Sequence, residues 1–269
     1  MTHLGAAASG PSVTYVFAVC QDANSGGASV GHLPGMPGGG PVRVLRGGAL
    51  SAVVQSVRAD DFTDAVWQAR LTDQQELATY ARAHHTVVSA LAACGATVPL
   101  PLATLYHDDG RVRQTLIGEA DRFHTALRRV AHHSEWGVKV YVVDEPDPAP
   151  SEPPREAVRV STAPGAGLAY LNRKRGIQER RERRREQALR TAESVDVELQ
   201  MFATAARRLR SALPDHQDNR QVQVLNATYL VAEEQATEFA LLVDTLRERA
   251  GTRIELSGPW VPYSFVSEV

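Results

Sequence analysis

Apolar residues along the chain fall into short continuous runs and into longer stretches of helical spacing, separated by polar or glycine-rich segments. Residues 13–19 (VTYVFAV) are β-branched and aromatic, which predicts a buried strand. Residues 42–45 and 50–57 predict two further strands, with Gly47 and Gly48 at the turn between them. Segment 25–41 holds seven glycines and three prolines in 17 residues, a composition that excludes a helix or central strand and predicts a flexible loop. Thr72 with Gln75 three residues later reads as a capping box. Leu77, Tyr80, Ala81, His84, Val87, Val88 and Leu91 then share one helical face, with Gly95 at the expected stop. Residues 98–106 are apolar but interrupted by Pro99 and Pro101, so they predict an edge or bent strand. After a turn at Asp108, Asp109 and Gly110, residues 111–133 predict a second helix burying Leu116, Ala120, Phe123, Leu127 and Val130. Residues 135–143 (EWGVKVYVV) return as a strand.

Five prolines between 146 and 154 leave almost nothing to bury and favour extended conformations, which predicts a linker over 144–164. A long helical region, 167–213, follows. Its first part is rich in arginine, and its second spaces Val195, Leu199, Phe202, Ala206, Leu209 and Leu213 three or four apart. Residues 221–231 predict a strand, 233–250 a helix burying Ala236, Phe239, Ala240, Val243 and Leu246, and 253–256 a closing strand. Glu233 and Glu234 at the start of that helix and Arg247 and Arg249 at its end complement the helix dipole. The pattern predicts an α+β protein of two domains. The N-terminal domain, 1–143, has a mixed or antiparallel sheet with helices on one face, and the C-terminal α+β domain, 165–269, has a long helical region.

A chain of 269 residues with 43% hydrophobic and 22% charged residues has the make-up of an ordinary globular protein. Its formal net charge of −2 argues against a global affinity for nucleic acid or membranes. No apolar run reaches the roughly 18 residues of a transmembrane helix, and MTHLGAAASG has no secretory-signal pattern, so a soluble cytoplasmic protein is expected. Two cysteines, Cys20 and Cys94, cannot build a disulfide framework. Candidate chemistry is thin. His84 and His85 are adjacent and diverge by about 100° on a helix, so they cannot face one ion. His84 reads as a hydrogen-bonded core residue. The glycine-rich segment lacks the Lys-Ser/Thr of a phosphate-binding loop, and neither HExxH nor GxSxG occurs. No enzyme, metal or cofactor is expected.

The sharpest local feature is residues 173–190, with nine basic and three acidic residues. One reading is a surface that docks an acidic partner, with Arg173, Arg175, Arg180, Arg181 and Arg184 as candidate contacts. The other is a solvated helix face supported by pairs such as Glu179–Arg183 and Glu186–Arg190. No aromatic residue interleaves with the arginines, which disfavours nucleic acid.

The chain end, GPWVPYSFV over 258–266, sets Trp260, Tyr263 and Phe265 beside Pro259 and Pro262, and resembles the terminal signature of the gas vesicle protein family GvpL/GvpF. YVFAV at 15–19, LSAVVQSVRADDF at 50–62, ARAHHTVVSAL at 81–91 and VPLPLATLYHDDGRV at 98–112 continue the resemblance. So do EWGVK at 135–139, AYLNRKR at 169–175 and NATYLVAEEQATEF at 226–239. The chain departs from the family pattern in PLPLAT at 99–104, in Val261 and in the glycine-rich insertion. The resemblance implies an accessory or minor structural protein of gas vesicles. It also implies partnership with the hydrophobic shell protein GvpA and other accessory Gvp proteins in assembly, and no catalytic residues. Trp136, Trp260, Pro262, Tyr263 and Phe265 are the candidate structural signature. Two prolines bar 258–265 from a central strand, and Trp260 and Phe265 are expected to pack on a domain. That end can serve as a clasp or as a partner-binding tail. A basic-helix module for acidic partners or nucleic acid, and an unrecognised enzyme, are the alternatives.

Overall fold

Strand β1 (Ser12–Cys20) runs up the middle of the first sheet, and its last seven residues are buried. A computed structural model describes residues 11–21, 30–143, 166–210, 221–250 and 253–266. The expected linker, 144–164, lies outside them. The chain divides into two compact units, Met1–Glu135 with Pro259–Val269, and Trp136–Gly258. The chain's last residues thus group with the first unit, although the sequence places them in a second domain.

In the first unit β1 pairs antiparallel with β3 (Leu50–Arg58), which pairs with β2 (Arg43–Gly47). On its other side β1 pairs with two short strands, β4 (Thr97–Pro99) and β5 (Leu105–Tyr106). The broken edge predicted from Pro99 and Pro101 is thus two pieces, separated by a turn in which Ala103 takes φ 64°. A bulge lies in β1 between Val16, opposite Val54, and Ala18, opposite Val53.

Both faces of this sheet are covered, not one. Val16, Leu45, Ala52 and Val54 pack with Val112, Leu116, Phe123 and Leu127 from α3 (Asp109–Gly118) and α4 (Ala120–Val130). On the opposite face Tyr15, Phe17, Val53 and Val57 pack with Tyr80, Val87 and Val88 of α2 (Gln74–Ala92). The continuous apolar runs of β1 and β3 carried this signal, because a strand covered on both faces loses its alternation.

Local corrections follow from capping chemistry. Residues 64–72 form a separate helix, α1 (Asp64–Thr72), in which Thr72 is the last residue. Asp73, not Thr72, caps α2, its Oδ1 accepting from Gln75 N at 2.9 Å and Glu76 N at 3.1 Å. Asp108 is not part of a free turn but the cap of α3, accepting from Arg111 N at 2.8 Å. The single helix expected over 111–133 breaks after Gly118, the poorest former short of proline.

The glycine-rich segment is not a free loop over its described residues, 30–41. Met36 is buried, and Gln55 of β3 grips the turn. Gln55 Oε1 accepts from Met36 N at 2.7 Å, and Nε2 donates to Gly40 O at 2.6 Å and Met36 O at 3.3 Å. The glycines permit this approach: a Cβ on Gly39 would stand 2.4 Å from Gln55 Nε2.

The second unit has the order β6 (His133–Val143), α5 (Ala166–Gln200), β7 (Ala205–Arg208), β8 (Gln221–Ala232), α6 (Ala236–Ala250), β9 (Arg253–Trp260). The sheet order is β7-β8-β6-β9, a split β-α-β arrangement. Trp136, Val138 and Val140 of β6 and Leu225, Ala227, Tyr229 and Val231 of β8 alternate toward the helices. There they meet Ala192, Val195 and Leu199 of α5 and Phe239, Val243 and Leu246 of α6. The long helix ends at Gln200 rather than at 213. Ala206 belongs to the edge strand β7, with Thr204 N donating to Leu230 O and Leu209 N to Asn226 O. Leu213 lies outside the described residues. Three-to-four spacing carried the helix reading past Gln200, but backbone pairing with β8 decides the segment.

Candidate functional site

After β9 the chain passes Val261 and Pro262, both buried, into a short turn at Tyr263–Phe265. Phe265 is 1% exposed, beside α4. The turn is pinned by a buried carboxylate: Glu135 Oε2 accepts from Ser264 N at 2.8 Å and Oε1 from Ser264 Oγ at 2.6 Å. Glu135 and the tail are 129 residues apart, so this contact closes the N-terminal unit with the chain's far end. Tyr263 sits 6.2 Å from the His84 ring and 6.4 Å from His85. Its hydroxyl is buried without a hydrogen-bond partner among the described residues, and burial pushes its pKa well above the ordinary range.

Beneath it, His84 is a spoke of the core. Leu100 O can only accept, so His84 Nε2, 3.1 Å away, carries the proton. In the neutral ring Nδ1 then accepts from Tyr15 Oη at 2.8 Å, while that oxygen accepts from Ala103 N at 3.1 Å. Burial pulls the His84 imidazole down to about 4, against the raising influence of the Leu100 carbonyl. His84 is thus the hydrogen-bonded core histidine that its apolar face predicts.

The signature residues part company here. Phe265, Pro262 and Tyr263 pack in the first unit, whereas Trp136 is buried in the second, 5.9 Å from the Phe239 ring. Trp260, expected to pack, is 48% exposed and touches His85 only edge-on at 5.8 Å. It stands at the end of an edge strand, where part of its ring faces water. Nearby in the fold, Arg70 is buried against Tyr80, its guanidinium 4.4 Å from that ring centroid. Arg70 also pairs with Glu76 at 2.7 Å and donates to Asp61 O.

In the second unit the arginine block occupies the first part of α5. Arg175, Arg180 and Arg184 are exposed, and the side chains of Arg173 and Arg181 lie outside the described residues. Glu179 pairs with Arg183 at 3.5 Å and Glu186 with Arg190 at 2.7 Å, as their spacing predicts. Ala188 is the first buried side chain of the helix among the described residues. Deeper along it, Asp196 is fully buried and accepts from Tyr229 Oη at 2.6 Å and Arg208 Nε at 2.8 Å. Burial raises the Asp196 carboxyl, but hydrogen bonds from Tyr229, Arg208 and Gln200 outweigh it and hold the pKa below the usual value.

Gln55, Arg70 and Asp196 escape a reading of the sequence. Their only signal is a polar residue on an otherwise apolar stripe, such as Gln55 inside LSAVVQSV or Asp196 between Val195 and Leu199. Among the described residues, no three His, Cys, Asp or Glu side chains cluster as a metal site. A small cavity lined by Val16, Val19, Ala52, Leu100, Val112 and Phe123 carries no charged group. No helix among the described residues is long and apolar enough to cross a membrane.

Comparison with known proteins gives this architecture a place. The sequence model of the gas vesicle synthesis protein GvpL/GvpF family matches residues 13–267. The chain belongs to the GvpL/GvpF family. It is 40% identical over 228 residues to gas vesicle protein L of a Streptomyces species, covering 85% of this chain and 84% of that one. Gas vesicle protein L1 of Halobacterium salinarum is 23% identical over 242 residues, covering 85% and 82%. The fold matches the crystal structure of gas vesicle protein GvpF from Anabaena, with a TM-score of 0.65 at 14% identity over 96% of this chain and 97% of that one. GvpF from Microcystis aeruginosa gives 0.61 at 15% identity over 95% and 99%. The α+β fold of antiparallel sheets and helices is therefore the GvpF fold, and the GvpL/GvpF resemblance of the chain end, EWGVK and the intervening segments holds.

Proposed function

We propose that this chain is a non-catalytic assembly protein of gas vesicles, acting in the cytoplasm and at the vesicle by binding the hydrophobic shell protein GvpA and other accessory Gvp proteins. The family match over residues 13–267 carries the reading. The non-catalytic part rests on the family, whose relatives here are gas vesicle proteins. His84, Glu135, Asp196, Tyr15 and Tyr229 are each spent on hydrogen bonds that join distant segments of one unit.

An adaptor must hold an aggregation-prone subunit by apolar contact while staying folded itself. The helices of the second unit present Leu189, Val197 and Leu241 at 51%, 56% and 61% exposure, and the turn after α5 presents Met201 at 78%, over a core that does not need them. Co-expression with GvpA tests the proposal: soluble GvpA is expected to rise and to co-purify with this chain. GvpA that stays insoluble and never co-purifies would refute it.

A further inference from the structure

The arginine block has a sidedness that its composition hides. At about 100° per residue, Lys174, Arg180, Arg184 and Arg185 fall within roughly 140° of arc, centred on the direction of Ala188, Ala192, Val195 and Leu199. Arg173 and Arg181 occupy register positions in the same arc. All three glutamates, Glu179, Glu182 and Glu186, lie on the other side, among Arg175, Arg183 and Arg190. One helix face therefore changes character along its length. From Ala188 onward it is apolar and buried, and before Ala188 it is cationic around half-buried Ile177 and, at Lys174, Arg180 and Arg185, exposed.

A solvated helix needs no such segregation. Ion pairs on the outer face, where the acids are, join Glu179 to Arg183 and Glu186 to Arg190. Apart from half-buried Ile177, the inner face carries like charges over about 16 Å, and Arg180–Arg184 and Arg181–Arg185 stand four apart, an arrangement that raises the energy of the isolated helix. We infer that the face bearing Lys174, Arg180 and Arg185 docks a carboxylate-rich helical surface of another protein. A protein surface meets one face of a helix only, so the glutamates behind do not oppose it. A nucleic-acid groove encloses a helix on most sides and would bring phosphates against Glu179, Glu182 and Glu186. This inference does not depend on GvpA binding. It places Arg175, a candidate contact by sequence, on the outer face.

The test compares two variants of equal charge change in the full-length protein. Lys174→Glu/Arg180→Glu/Arg185→Glu reverses the inner face, and Arg175→Glu/Arg183→Glu/Arg190→Glu reverses the outer one. The probes are a fluorescent amphipathic peptide helix with glutamates along one face, and a short DNA duplex, titrated over a salt series. The inner reversal is expected to weaken peptide binding by about tenfold or more and the outer one by less than about threefold. Lys174→Gln/Arg180→Gln/Arg185→Gln should give an intermediate loss with an unchanged melting temperature, which separates docking from folding. Equal losses from both faces, no peptide binding by the unaltered protein, or tighter binding of the duplex would each overturn the inference.

Discussion

Replacing Phe265 by alanine tests whether the chain's last residues hold the N-terminal unit together. The ring is 1% exposed, and the turn that carries it is anchored by two hydrogen bonds to Glu135, so the cavity left behind cannot close by simple withdrawal of the chain. Phe→Ala changes at such sites cost about 3–5 kcal/mol, from lost burial and the residual void. Trp260 is the internal control. At 48% exposure it has about half of a large side chain's burial, roughly 1–1.5 kcal/mol, and one edge-on ring contact worth about 0.5–1 kcal/mol. Phe265→Ala should therefore cost about twice what Trp260→Ala costs, the reverse of the order that ring size alone suggests. At roughly 2–4 °C per kcal/mol for a unit of this size, the two variants should melt about 6–20 °C and 3–10 °C below the parent. Urea titration followed by hydrogen exchange at amides of β1 and β3 reads the N-terminal unit directly. A Phe265→Ala cost below about 1 kcal/mol, or one smaller than that of Trp260→Ala, would refute the clasp.

Two further outcomes follow from buried polar groups. Gln55→Leu should strand the Met36 N–H and the Gly40 carbonyl under the glycine-rich turn, while Met36 O keeps the Gly39 N–H, costing about 1–3 kcal/mol and abolishing exchange protection at the Met36 amide; retained protection would show that the turn holds itself. For His84 the folded pKa, about 4, lies below the unfolded value of 6.5, so between these the unfolded chain binds more protons and stability falls as pH falls. The loss should be on the order of 3 kcal/mol across that window and be absent in His84→Gln, and an equal slope in both proteins measured by denaturant titration would contradict a buried neutral ring.

Much of this molecule was written in local pattern. The strands at β1, β3, β6 and β8, the faces of α2 and α6 and the family motifs depend on residue type at short spacing. Steric preference and burial act on each such segment almost independently of its neighbours. Other features existed only once distant segments met. The glycine-rich segment reads as structureless because its composition supports neither a helix nor a central strand. Gln55 of β3 ties its turn down by long-range hydrogen bonds, and the missing Cβ atoms behind the flexible-loop reading are what let it approach. Ala206 continues a helical spacing yet joins a strand, because β8 offers its backbone hydrogen bonds. Trp260 and Phe265 are equally apolar in sequence, but one ends an edge strand and the other enters the core through a turn held by a carboxylate 129 residues away. Hydrophobic spacing determines which surfaces must be buried; which long-range partner buries them, and which buried polar group is satisfied, is decided only by the assembled tertiary structure.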